Sequence, residues 1–289
     1  MKKRGTTVFL LVVLLVGLSL LLYPKFSDWW NRVHQMHSIM DYTNTVSNLN
    51  REEYDRILNE AKAYNQRLAQ GGMSFSLSPE ETAAYEALLN PGDNGIMGTV
   101  DIPSIDVHLP VYHGIDERVL QEAIGHIEWT ALPIGGTGTH CVVSGHRGLP
   151  TARLFTDIDK LVEGDFFTFN ILGETLTYEV DQINIVLPED IHFLMPEPGK
   201  DLVTLVTCTP YGVNTHRLLV RGHRVANDIL DDPTRVTADS VQIEPVIVAP
   251  AIGVPLLIIM LAVQLSEDRF RRRHPVYDDD GGDLSEYLP

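Results

Sequence analysis

The sequence predicts a mainly β fold, a closed or nearly closed barrel with N-terminal helices, flanked by two transmembrane helices. Three observations carry this. Seven short β-branched or aromatic segments, broken by Gly, Pro and Asp-containing turns, crowd into residues 98–222, the pattern of a barrel of short strands. Helical periodicity is confined to the residues before them. Two uncharged apolar runs, 5–23 and 246–265, bracket the rest, each long enough to cross a bilayer.

The chain opens on a basic cytoplasmic N-terminus, residues 1–4, with Lys2, Lys3 and Arg4. The run 5–23 then rises about 28 Å as a helix, close to the hydrocarbon thickness of a membrane. A cleaved leader is the alternative. Its apolar stretch would be shorter and end in small residues, whereas this one ends in Leu20, Leu21, Leu22, Tyr23 and Pro24, which favours a retained anchor. The second run, 246–265, contains Pro250 and Pro255 and is followed by Arg269, Arg271, Arg272 and Arg273. Prolines are tolerated in membrane spans. Both basic clusters lie at the outer ends, so residues 24–245 are expected outside and both termini, including the tail 266–289, in the cytoplasm.

Between the spans, residues 24–94 read as a helical region. Ile57, Ala61, Tyr64 and Leu68 share one face of a helix over 41–70, stopped by Gly71 and Gly72. A looser stretch follows, and Ser78 or Pro79 opens a short helix through residue 89. Strands are expected at 98–102, 105–112, 139–144, 165–171, 175–186, 202–208 and 216–222, within a barrel domain spanning 95–225. Residues 226–245 read as a tether to the membrane.

Composition narrows the function. The 289 residues are 44% hydrophobic and 21% charged, which excludes collagen-like, low-complexity and fully disordered chains. The net charge of −17 repels phosphates and argues against nucleic acid as a partner. Two cysteines make neither a disulfide framework nor a four-thiolate zinc site. His140, His146 and His216 fit no familiar zinc spacing. No metal or other cofactor is expected.

Cys208 ends the apolar strand Leu202 to Thr207, at a barrel rim where a substrate can reach it. His146, in Ser144-Gly145-His146-Arg147-Gly148, also ends a strand, and Arg217 starts the next one. A thiolate that attacks, an imidazole that handles protons and a guanidinium that faces developing negative charge form an acyl-transfer set. Cys141, mid-strand, is expected to be buried, and Arg221 and Arg224 to be surface charges. Free cysteine and histidine titrate near 8.5 and 6.5, so the thiolate–imidazolium pair is a minority species of about 1% unless the site favours it. Slow turnover and a pH–rate profile bounded by two overlapping ionisations follow.

The run from Thr204 to Cys208, continuing Thr209-Pro210-Tyr211-Gly212-Val213-Asn214-Thr215-His216-Arg217, resembles the active-site signature of the sortases in the form seen in class C, the pilus-assembling branch. Ser144-Gly145-His146-Arg147-Gly148 matches the histidine motif. Residues 90–98, 102–105 and 110–114 resemble the family's lead into its first strands. The likeness covers roughly residues 40–225. It implies a sortase-type closed β-barrel on the membrane of a Gram-positive bacterium, with the catalytic domain extracellular. The implied activity is cleavage of an LPXTG-like sorting signal between Thr and Gly, a thioacyl intermediate, and an isopeptide bond to an acceptor lysine of a pilin subunit. By position, Cys208 is the nucleophile, His146 the general acid/base and Arg217 the oxyanion-side donor, with Thr207 and His216 as assisting residues. The partners implied are pilin subunits and the lipid bilayer. A class A-type enzyme anchoring proteins to cell-wall precursor is the alternative, and a silent pilin-binding scaffold a third reading. One departure stands out. Class C members commonly carry an Asp-Pro-aromatic lid, yet no Asp-Pro occurs before residue 100. A missing or degenerate lid over 71–78 is expected, with Met73 or Phe75 as a weaker plug.

Overall fold

A computed structural model describes residues 2–71, 75 and 77–227. The expected second span at 246–265, the expected cytoplasmic tail 266–289, nearly all of the expected tether and the lid candidate Met73 lie outside the described residues. The described residues from Pro24 onward form one compact unit, and those before it belong to another.

Helix α1 is Lys2–Ser47 and contains Pro24. Its apolar N-terminal part is long and hydrophobic enough to cross a membrane, and none of that apolar stretch is buried. Side chains such as Phe9, Leu15 and Leu20 stand exposed, as a lipid-facing surface requires.

The single helix expected over 41–70 is two helices. α1 ends at Ser47, and α2, Arg51–Gly71, starts afresh. The reason is local. The Asn50 side chain accepts from the Glu53 backbone N–H at 2.9 Å, and Glu53 reaches back to the Asn50 N–H at 3.4 Å. This reciprocal cap starts a helix. Ile57 and Ala61 of α2 are buried as expected. α3, Pro79–Glu86, has the same device in Ser78 and Glu81, and stops three residues short of the expected end, with Leu89 in the left-handed region at φ 48°.

Eight strands close a barrel in the order β1-β2-β3-β4-β7-β8-β6-β5. They are β1 Ile96–Ile102, β2 Val107–His113, β3 Ile124–His126, β4 Thr139–Ser144, β5 Phe166–Ile171, β6 Glu174–Val186, β7 Asp201–Thr209 and β8 His216–Val225. β3 escapes sequence reading, since three residues are too few for alternation to show. The start of β2 is also displaced, because Pro103–Ile105 form a turn of 3-10 helix. Between β2 and β3 lies the one-turn helix α4, Glu117–Leu120.

Alternation along the strands separates two apolar sets. Cys141, Val143, Phe167, Phe169, Tyr178, Val203, Leu205 and Val220 belong to the barrel interior. Val142, Val186, Val206 and Leu219 form a second cluster with Ile127 and Leu194, against which Trp129 and Phe193 pack. The strand residues of that second set lie on the outer face of β4, β6, β7 and β8.

Tyr42 of α1 and Asn65 of α2 fasten the helices to the barrel. The Tyr42 hydroxyl donates to the Met97 carbonyl and accepts from the Leu172 N–H, and Asn65 bonds both backbone groups of Leu132. Arg221 is not the surface charge expected. Its side chain is 14% exposed, forked onto both Asp181 oxygens at 2.9 Å and bonded to Glu197. Arg224 lies 5.7 Å from the centroid of the Tyr178 ring. Strand alternation turned both toward neighbours that sequence spacing does not reveal.

Candidate active site

Three strands meet at one rim. β4 and β7 run parallel, with Ser144 opposite Val206. The chain continues this pairing by one residue, the Gly145 N–H donating to the Val206 carbonyl at 3.0 Å. His146 therefore follows the end of β4 as Cys208 follows Val206, and the two sit on neighbouring chains at the same level. β8 runs antiparallel to β7 and sets Arg217 directly opposite Cys208.

Parity decides which side chains share a face. Cys208 shares a face with Val206, and Arg217 with Leu219, so thiol and guanidinium both stand on the outer face. Cys208 is half-buried and free. The Arg217 guanidinium donates to the Asn214 and His216 carbonyls at 3.4 and 3.2 Å, with Asn214 at φ 60° turning the loop. The His146 side chain is 28% exposed; its Nε2 is buried without a hydrogen-bond partner, and Glu117 Oε2 lies 3.8 Å from it.

The two assisting candidates face the other way. Thr207 is 1% exposed, and its hydroxyl donates to the Gly145 carbonyl at 2.7 Å. Its position within the signature is a structural tie between the cysteine strand and the histidine loop, because adjacent residues on a strand point to opposite faces. His216 pairs with Thr209 across the strands, also off the Cys208 face, and its Nδ1 lies 2.9 Å from the Thr215 hydroxyl. Phe75 meets the edge of Trp129, ring centroids 5.1 Å apart, and remains 55% exposed.

The histidine loop is held tightly. A Cβ on Gly145 would lie 2.8 Å from the Ile124 side chain and 2.9 Å from the Phe155 ring, so only glycine fits there. Phe155 N–H donates to the His146 carbonyl at 3.2 Å. Arg147 pairs with Asp159, donates to the Thr209 hydroxyl at 3.2 Å and lies 6.0 Å from the Tyr211 ring centroid. It thus bridges the loop after His146 to the loop after Cys208. The sequence motifs contain Arg147 and Tyr211 without revealing a task for them, and spacing gives no sign of Glu117. Those roles depend on loop contacts that leave no periodic trace.

The floor beneath is fixed by His140. Its ring lies between the Thr204 hydroxyl, 2.7 Å from Nε2, and the Met195 carbonyl, 3.0 Å from Nδ1. Burial pushes its pKa down to about 4, so it stays neutral, its Nδ1–H donating to the loop that carries Phe193 and Leu194. Cys141, by contrast, is buried in the interior, and burial pushes its thiol well up. Of the two thiols, only Cys208 is accessible enough to act as a nucleophile.

A mainly β closed barrel with cysteine, histidine and arginine at one rim defines a class of protein, and comparison agrees with it. The sortase domain family matches residues 100–225. The crystal structure of sortase C1 from Streptococcus agalactiae is 53% identical, covering 66% of this chain and 100% of that one, with a TM-score of 0.65. Clostridium perfringens sortase C, solved with the C-terminal cell wall sorting motif, is 40% identical over 66% of this chain and 99% of that one, with a TM-score of 0.58. Sortase A of Streptococcus agalactiae is 25% identical over 143 residues, 47% of this chain and 58% of that protein's length. The chain belongs to the sortase family. Within it, the likeness to solved sortase C structures places it in class C.

Proposed function

We propose that this protein is a membrane-anchored cysteine transpeptidase of the bacterial surface that joins pilin subunits. Cys208 attacks the carbonyl between Thr and Gly of an LPXTG-like sorting signal, and the C-terminal fragment leaves with a proton supplied by His146. Arg217 donates to the oxygen on which charge develops. The acyl group rests on Cys208 as a thioester until a lysine amine of the next pilin takes it as an isopeptide bond. The observation that carries the reading is the direct cross-strand pairing of Cys208 with Arg217 on the outer face, with His146 on the adjoining chain. On the same outer face Val142, Val206 and Leu219 form a buried apolar cluster that supports this stretch of the rim.

The anchor is the N-terminal apolar helix, and basic residues 2–4 keep its start in the cytoplasm. The span at 246–265 would return the chain to the same side. The test is direct. Enzyme, sorting-signal peptide and a lysine-bearing peptide are mixed and resolved by mass spectrometry. A thioacyl adduct on Cys208 ending at Thr is expected, followed by a lysine-linked product, with Cys208→Ala giving neither. Cleavage at another bond, or a wild-type protein that never forms the adduct, overturns the proposal. Transfer to cell-wall precursor with no lysine product would favour the class A-type alternative.

A further inference from the structure

We infer that Glu117 docks the ammonium group of the acceptor substrate, the cationic amine that resolves the thioester. This rests on the transpeptidase reading and gives the second substrate a subsite of its own beside His146.

Strand order supplies the argument. α4 precedes β3, and β3 runs antiparallel to β4 with Gly125 opposite Ser144. α4 therefore stands at the same rim as the residues that follow Ser144. β7 lies parallel to β4 on its other side, and β8 follows. Around the rim the order is Glu117, His146, Cys208, Arg217: carboxylate, imidazole, thiol, guanidinium. A cation is repelled from the Arg217 flank and attracted to the Glu117 flank.

The local contacts agree. Glu117 Oε2 lies 3.8 Å from His146 Nε2, and that nitrogen has no hydrogen-bond partner. The carboxylate is 73% exposed. Among the described residues no lysine or arginine pairs with it, and the Gln121 amide donates to its other oxygen. A negative charge with room for a partner thus stands beside the base that must deprotonate the amine.

The chemistry needs that adjacency. A lysine side chain arrives as an ammonium and is not a nucleophile until it loses a proton. Held on Glu117, it gives that proton to the neutral His146 imidazole. Its lone pair then attacks the thioester carbonyl carbon, the C–N bond forms, and the C–S bond breaks with its electron pair on the Cys208 sulfur. The nitrogen loses a second proton. Of the two protons shed, one restores the thiol and the other leaves to solvent, so ammonium plus thioester becomes amide, thiol and one proton.

The experiment uses the full chain in detergent micelles, with a sorting-signal peptide and two nucleophiles at pH 7: a lysine-bearing peptide, which is cationic, and hydroxylamine, which is neutral. For Glu117→Gln, kcat/KM for the lysine peptide should fall about fivefold, equivalent to about 1 kcal/mol, and lose its salt dependence. Acylation and hydroxylaminolysis should stay within twofold of wild type. Glu117→Asp should recover part of the lysine reaction, and Glu117→Lys should lower it further. If Glu117→Gln slows acylation and both nucleophiles alike, the carboxylate serves the imidazole and the inference falls. If all three rates are unchanged, it falls too. A wild-type protein that forms no thioacyl adduct at all brings down the transpeptidase reading and this inference together.

Discussion

Lowering the pH from 7 to 5 should cost the fold about 4 kcal/mol through two buried histidines. His126 is 0% exposed, with Nδ1 accepting from the Tyr85 hydroxyl at 2.8 Å and Nε2 2.9 Å from the Ala131 carbonyl. Burial pushes its pKa down to about 3, and that of His140 to about 4. Both lie below the ordinary 6.5 of an unfolded chain, so the unfolded state takes up protons that the fold refuses. Stability is thus full above pH 6.5 and lost as pH falls toward the folded values. At pH 5 each ring contributes a loss of about 2 kcal/mol, against a total stability of about 5–15 kcal/mol for a domain. His113 is lowered too and adds to the loss, whereas His108, raised by Asp101, and Asp201, raised by burial, oppose it. Urea unfolding of the full chain at pH 7, 6 and 5 measures the sum, and a His140→Gln chain should show roughly half the slope. Stability that is flat or rising between pH 7 and 5 would refute the reasoning, because it would mean that these rings accept protons in the fold.

Three further outcomes test the site's scaffold. Gly148→Ala places a Cβ 2.8 Å from the Tyr211 ring at a backbone φ of 77°; it should cost about 1–2 kcal/mol from the left-handed conformation alone and slow acylation, as read by thermal melting and adduct formation. Thr207→Val removes the hydroxyl that donates to Gly145 and should destabilise by about 1–3 kcal/mol, measured by urea titration. Phe75→Ala loses an edge contact with Trp129 and should change the rate at which a small reagent labels Cys208 by less than threefold; an increase of orders of magnitude would show that this stretch plugs the site.

The barrel was legible because its strands are long enough to alternate: β4 through β8 appear within two residues of their ends at nearly every boundary. β3 was not, being three residues whose pairing with β2 and β4 is set by neighbours far along the chain. The division of one expected helix into α1 and α2 was legible in principle, since Asn50 and Glu53 have the spacing of a capping box, but the apolar face of α2 hid it. Cys208, His146 and Arg217 could be singled out because two of them end strands and all three have reactive or charged side chains. Thr207 adjoins the nucleophile and His216 lies within the signature beside Arg217, but strand parity turns both off the Cys208 face. Glu117 and Arg147 act through loops, where position follows from tertiary contacts and not from spacing.

The two cysteines show how much of the chemistry is a matter of register. Cys141 and Cys208 lie on neighbouring parallel strands, yet one joins the interior with Val143 and Val203, and the other stands outside with Val206. The period of a strand is two residues, so a slip of one residue in β7 would exchange the environments of its two faces. Cys208 would then enter the apolar interior, where burial holds the Cys141 thiol protonated, and it would lose Arg217 as its cross-strand partner. What prevents the slip is the set of contacts that are not themselves chemical: the Thr204 hydroxyl on His140, the Thr207 hydroxyl on Gly145, and Val203, Leu205 and Val220 in the core. Each is satisfied in one register only. The reactivity of the rim therefore depends on buried residues one to five positions back along the strand, Thr207, Leu205, Thr204 and Val203, which is why substitutions there should reduce catalysis while leaving every reacting group in place.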